Sequence, residues 1–176
     1  MAKITIVLLC MCMLAACGNG SVEISNVQTR QTTTAVLTLS TTITGSIPSG
    51  TTINSYDVTI PLPDGVTVSS TTNPPLTDAA VVTTINSAVG SLVAAVYSAA
   101  TGTRAALVKI HIASGTGFSA GAFSTVTCAI KAGTDPQASD FTAPTLDDAT
   151  GFDNVSNSSV LGLEENLSLT STVDIQ

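Results

Sequence analysis

The chain has 176 residues, with 12 Asp and Glu against 5 Lys and Arg, one His and a net charge of −7. That balance argues against nucleic acid as a partner, which needs a basic footprint, and the acidity reads as solubility rather than as a site for one cationic partner. There is no Trp and only 10% of residues are charged, while Thr, Ser, Val, Ala and Gly abound; this is the composition of strands with hydroxyl-bearing faces joined by short turns.

Residues 1–16 read as an export signal. Lys3 gives the positive start, residues 4–14 form an apolar stretch, and Ala15 and Ala16 are the small residues a signal peptidase needs. The stretch is too short for a spanning helix, which takes about 20 apolar residues. Leu14-Ala15-Ala16-Cys17-Gly18 resembles the lipobox of bacterial lipoproteins. The resemblance implies that Cys17 becomes the lipidated N-terminus, that residues 17–21 are a tether, and that acyl chains hold the protein on a membrane at about 0.8 kcal/mol per buried CH₂. Gly18 after the cysteine is similar to the pattern for outer-membrane delivery, so a bacterial cell-envelope location is expected, on the periplasmic or the surface side. Cys10 and Cys12 leave with the signal and Cys17 carries lipid. Cys128 is then the lone thiol, and no intramolecular disulfide is expected.

Residues 22–176 read as one domain. Strands are expected at 22–27, at 34–43 where Ala35, Leu37 and Leu39 alternate with Thr38 and Ser40, and at 53–62. In the last of these Tyr56, Val58, Ile60 and Leu62 share one parity, and Asp57 and Thr59 the other. Pro63, Asp64 and Gly65 end it with turn chemistry, an extended segment resumes at Val66 and Val68, and residues 71–78 with Pro74 and Pro75 form a loop. Residues 79–85 and 92–97 are read as strands from their β-branched content. At 106–112, Ala106, Val108, Ile110 and Ile112 face one side and Leu107, Lys109 and His111 the other. Residues 115–121 read as a glycine-rich connector with one helical turn at Phe118, Ser119 and Ala120. Residues 123–131 form a strand with Val126, Cys128 and Ile130 inside, so Cys128 acts as a small core hydrophobe. Residues 133–151 read as an acidic loop, and two late strands are expected at 160–163 and 167–175.

About nine short strands with little helix describe an all-β fold, an antiparallel β-sandwich or barrel. The run Tyr56-Asp57-Val58-Thr59-Ile60-Pro61-Leu62-Pro63-Asp64-Gly65-Val66-Thr67-Val68 is similar to a segment of cohesin-like domains. So are residues 115–126, where a glycine-rich turn leads into Val126-Thr127-Cys128-Ala129-Ile130. The resemblance implies a nine-stranded jelly-roll sandwich related to a carbohydrate-binding superfamily, and a binding module without catalysis. The chain departs from cellulosomal cohesins in being one lipid-anchored domain, so no contact residue carries over.

Few residues point to chemistry. His111 is the only histidine and lies on the polar parity beside Lys109, without the partner spacing of a zinc site. Gly117-Phe118-Ser119-Ala120-Gly121 matches Gly-x-Ser-x-Gly, but the nucleophile elbow needs a strand-turn-helix context. Asp147, Asp148, Asp153 and Asn154, with Asp135 and Asp140 upstream, offer oxygen ligands for calcium without the spacing of an EF-hand; a solvated acidic loop is the plainer reading. Phe118, Phe123, Phe141 and Phe152 read as core anchors, which disfavours sugar stacking. The expected function is therefore a non-enzymatic, lipid-anchored binding or adhesion module that contacts a protein partner at the envelope. The alternative is a carbohydrate- or matrix-binding module of the same fold, and a hydrolase using His111 comes third. No cofactor is expected beyond calcium.

Overall fold

The computed structural model describes residues 33–68 and 81–176. Among the described residues are ten strands: β1 (Thr34–Ile43), β2 (Thr51–Leu62), β3 (Val66–Thr67), β4 (Val82–Thr84), β5 (Leu92–Ser98), β6 (Ala106–Phe118), β7 (Gly121–Ile130), β8 (Thr145–Asp153), β9 (Ser158–Val160) and β10 (Leu167–Ile175). They form two antiparallel five-stranded sheets. The first runs β10-β1-β7, with β3 and β4 sharing the far edge of β7. The second runs β5-β6-β2-β8-β9. The fold is an antiparallel β-sandwich. The expected strand at 22–27, the lipobox with Cys17 and the loop at 71–78 lie outside the described residues.

Alternation makes the sandwich. On β2, Tyr56, Val58, Ile60 and Leu62 are all buried, and on β6 so are Ala106, Val108, Ile110 and Ile112. From the other sheet Ala35, Leu37, Leu39, Val126 and Cys128 come to meet them. A Val, Leu, Ile or Phe side chain buried this fully contributes about 1.5–3 kcal/mol. Tyr56 is fully buried, stacks on Phe118 and tilts against Phe123, each at 4.9 Å between ring centroids. Its hydroxyl meets the buried Thr41 Oγ1 at 3.3 Å, so the one polar atom of the ring has a partner across the sheets.

Four expectations need correction, and two share a cause. No helical turn forms at 115–121. Strand β6 continues to Phe118, and Ser119 and Ala120 carry the chain across to β7 in the other sheet. Gly117 (φ +84°) and Gly121 (φ +121°) make that corner possible, in a backbone region that residues with a Cβ avoid. The expected acidic loop contains strand β8. There Leu146 and Ala149 both face inward, three positions apart rather than two or four, because the register with β2 breaks between Asp57 and Val58. This β-bulge places an extra residue on β8 and shifts the alternation beyond it. Phe152 is therefore not a core anchor: it shares its parity with Asp148 and Thr150, opposite to the buried Ala149 and Gly151. The strand expected at 160–163 is earlier and shorter, Ser158–Val160, and a 3₁₀ turn follows at Leu163–Asn166.

Candidate functional site

Asp57, Thr59, Lys109 and His111, the polar parity of β2 and β6, stand on the outer face of the second sheet. Strand register aligns them in rows. Ala94, His111, Asp57 and Asp148 lie directly opposite one another across β5, β6, β2 and β8. The next row holds Val96, Lys109 and Thr59. The bulge in β8 adds Asp147 to the same face. Three aspartates, one lysine and the single histidine thus converge around a shallow depression of about 350 Å³.

The array is held by hydrogen bonds. His111 Nδ1 lies 2.6 Å from Asp57 Oδ1, and both side chains are roughly half exposed, at 47% and 43%. Thr59 Oγ1 donates to Asp147 Oδ2 at 2.5 Å. Cross-strand polar pairs contribute about 0.2–1 kcal/mol each, and the like charges of Asp57 and Asp148 directly opposite one another offset part of that, so the array adds little to the stability of the fold. Beside it, three of the four outward side chains of edge strand β5 are apolar, Leu92, Ala94 and Val96, with Leu92 71% exposed and Val96 38%.

An Asp–His pair supplies two members of a nucleophilic relay, and the third must sit on the far nitrogen of the imidazole. The hydroxyl of the array, that of Thr59, donates to Asp147 rather than to the imidazole, and among the described residues no Ser, Thr, Tyr or Cys lines the depression. Ser119, from the Gly-x-Ser-x-Gly match, lies beyond Phe118, whose β2 partner is Ile53, whereas that of His111 is Asp57. Four β2 positions separate those registers, roughly 13 Å at about 3.3 Å each. Cys128 is buried on the other sheet, and burial pushes its thiol up to about 12. What the arrangement offers is a fixed pattern of charges next to an apolar strip.

The four calcium candidates are not brought together. Asp147 and Asp148 belong to the charged array, whereas Asp153 and Asn154 lie at the far end of β8. There Asp153 closes a turn: Oδ2 accepts from Ser156 Oγ at 2.6 Å and Oδ1 from the Val155 amide at 2.8 Å. These bonds, the Ser156 one foremost, hold its carboxyl below the usual carboxylate value. Asp140 likewise accepts from the Gln137 amide and closes the 3₁₀ turn Ala138–Asp140. Among the described residues, no three His, Cys, Asp or Glu side chains group as a metal site.

Asp147 and Asp148 both stand in a segment that the sequence reads as a loop, and of the two Asp148 is the one paired with Asp57. Its place beside Asp57 follows from a pairing of distant segments, which local alternation does not carry. Comparison with family models, curated proteins and solved structures returns no match.

Proposed function

We propose that this protein is a lipid-anchored, non-catalytic binding module of the bacterial cell envelope, which docks a protein partner on the outer face of its second sheet. The observation that carries the reading is the aligned array of Asp57, His111, Asp148, Lys109 and Asp147 against the exposed Leu92 and Val96. Surface charges of both signs in a fixed pattern steer encounter and select a partner, while adjoining apolar side chains supply area to desolvate. The sandwich class is also what the cohesin-like resemblance implies. The lipobox-like segment supports anchoring through Cys17, with the outer membrane as destination, and two acyl chains suffice for stable attachment.

Two experiments test this. Cys17→Ser removes the acylation site, and the variant is expected to be unprocessed or released from membranes; a processed variant that still sediments with membranes contradicts the anchor. For docking, proteins captured by the full chain are compared by quantitative mass spectrometry with those captured by Asp57→Lys and His111→Ala. A partner held by the native chain should fall by about tenfold with the charge-reversed variant. An identical captured set in all three proteins overturns the docking face.

A further inference from the structure

We propose that the outer face of the second sheet carries a separate site for a neutral oligosaccharide, in the groove lined by Thr52, Asn54, Thr116, Phe152, Asn154 and Ser159. The groove has a volume of about 370 Å³, within the roughly 300–1,000 Å³ usual for small-molecule sites. It shares no side chain with the charged array and stands independently of the docking proposal.

The concavity is built by the backbone. In β2 the register breaks between Ile53 and Ser55 toward both neighbours: toward β8 Asn54 is one extra residue, and toward β6 it faces a longer insertion on the partner strand. On β6 the partner of Ser55 is Ala113 and that of Ile53 is Phe118, so residues 114–117 arch out of the ladder. Local bonds fix the arch: the Gly117 amide donates to Ser114 Oγ at 3.1 Å, and Asn54 Nδ2 donates to the Ser114 carbonyl at 3.0 Å. Gly117 rests on Thr52 so closely that a Cβ there would meet Thr52 Cγ2 at 1.9 Å. At the other wall Asn154 Nδ2 donates to the Gly50 carbonyl at 2.9 Å and to Thr52 Oγ1 at 3.0 Å.

The lining selects the ligand chemistry. Phe152 lies on the outward parity of β8, with Thr52 opposite it on one side and Ser159 on the other. Hydroxyls and amides surround this aromatic ring, and among the described residues no ionisable side chain lines the groove. A charged ligand would lose its hydration there without a counter-charge, and a purely apolar one would leave the hydroxyls and amides unpaired. A pyranose satisfies both requirements: its C–H face covers the ring, and its hydroxyls serve as donors and acceptors.

The test is isothermal titration of the full chain, held in a zwitterionic detergent free of sugar headgroups, with cellohexaose, maltohexaose, mannohexaose and chitohexaose, and with hexagalacturonate as the charged control. At least one neutral hexasaccharide should bind with a Kd of about 1 mM or tighter. Phe152→Ala should weaken that binding about tenfold or more, and so should Thr116→Glu, which puts a charge on the groove wall at an exposed position and removes no core contact. His111→Ala should leave it unchanged, so that failure of the sugar site and failure of the docking face are read separately. The proposal is overturned if no neutral hexasaccharide binds, if Phe152→Ala and Thr116→Glu bind like the native chain, or if only hexagalacturonate binds.

Discussion

The same three strands, β6, β2 and β8, build both ends of one outward face, yet the ends differ in shape and in charge. At the end holding Asp57 and His111, β2 and β6 stay in strict register from Ser55 to Leu62, and the one irregularity lies toward β8. The face there is continuous and shallow, and it bears charges. At the Asn54 end, β2 is out of register with both neighbours at once, and the arch at 114–117 raises a wall. A single bulge adds one outward side chain, Asp147; a paired bulge makes a groove. The Ser55 and Thr150 hydroxyls, 2.6 Å apart, lie between the two ends. Register, more than residue type, decides whether a sheet face presents a flat pattern or a concave site.

Substitutions can break this comparison, and the largest effect is expected beneath the charged end. Val58→Asp buries an unpaired carboxylate at a position only 1% exposed. It should cost several kcal/mol and unfold a domain of ordinary stability, as read by chemical denaturation. The groove end should break through Gly117. Gly117→Ala meets both the positive φ and Thr52 Cγ2, and is expected to cost about 1–3 kcal/mol. Adding Thr52→Ser removes the clashing methyl, and the double variant should recover part of that loss. Full stability in Gly117→Ala alone would show that the arch does not sit on Thr52.

Cys128 is a control in the opposite sheet, away from both ends. Cys128→Ala should cost about 1–2 kcal/mol, at the small end of large-to-small core changes. In the folded protein its thiol is raised from 9.0 to about 12 by burial, so the unfolded chain releases the proton first. The stability it contributes is intact below pH 9 and is lost as pH rises from there toward 12, by at most about 1.4 kcal/mol per pH unit. Denaturation curves between pH 7 and 10 should therefore fall more steeply for the native chain than for Cys128→Ala. Thiol reagents at neutral pH should label the residue only after unfolding. The smallest effect belongs to the charged end: Thr59→Lys, on the outward parity and next to Asp147, should change stability by no more than about 0.5 kcal/mol. A loss equal to that of Val58→Asp would contradict the two-faced sheet.

Regular alternation made much of this molecule legible in its sequence. Strands β1 and β10 fall where alternation places them, and β2, β6 and β7 differ only at their ends. The outward positions of Asp57, Thr59, Lys109 and His111 follow from the same period of two. Bulges hid the rest. In β8 the shift near Asp147 puts Leu146 and Ala149 on one face, so the segment lacked a strand's period and passed for an acidic loop. That misreading carried Phe152 into the core and concealed the groove. Nor can periodicity show that Asp148 stands beside Asp57, since the two come from segments some 90 positions apart; only the pairing of β2 with β8 brings them together.

The central claim is that this protein meets its partner through the outward face of the second sheet. A photo-crosslinking residue placed at Lys109, exposed beside His111, tests it in living cells against the same residue at Thr172, exposed on β10 of the other sheet. The account predicts a discrete protein adduct from position 109 and none from position 172. An adduct confined to position 172, or none from position 109, would contradict it.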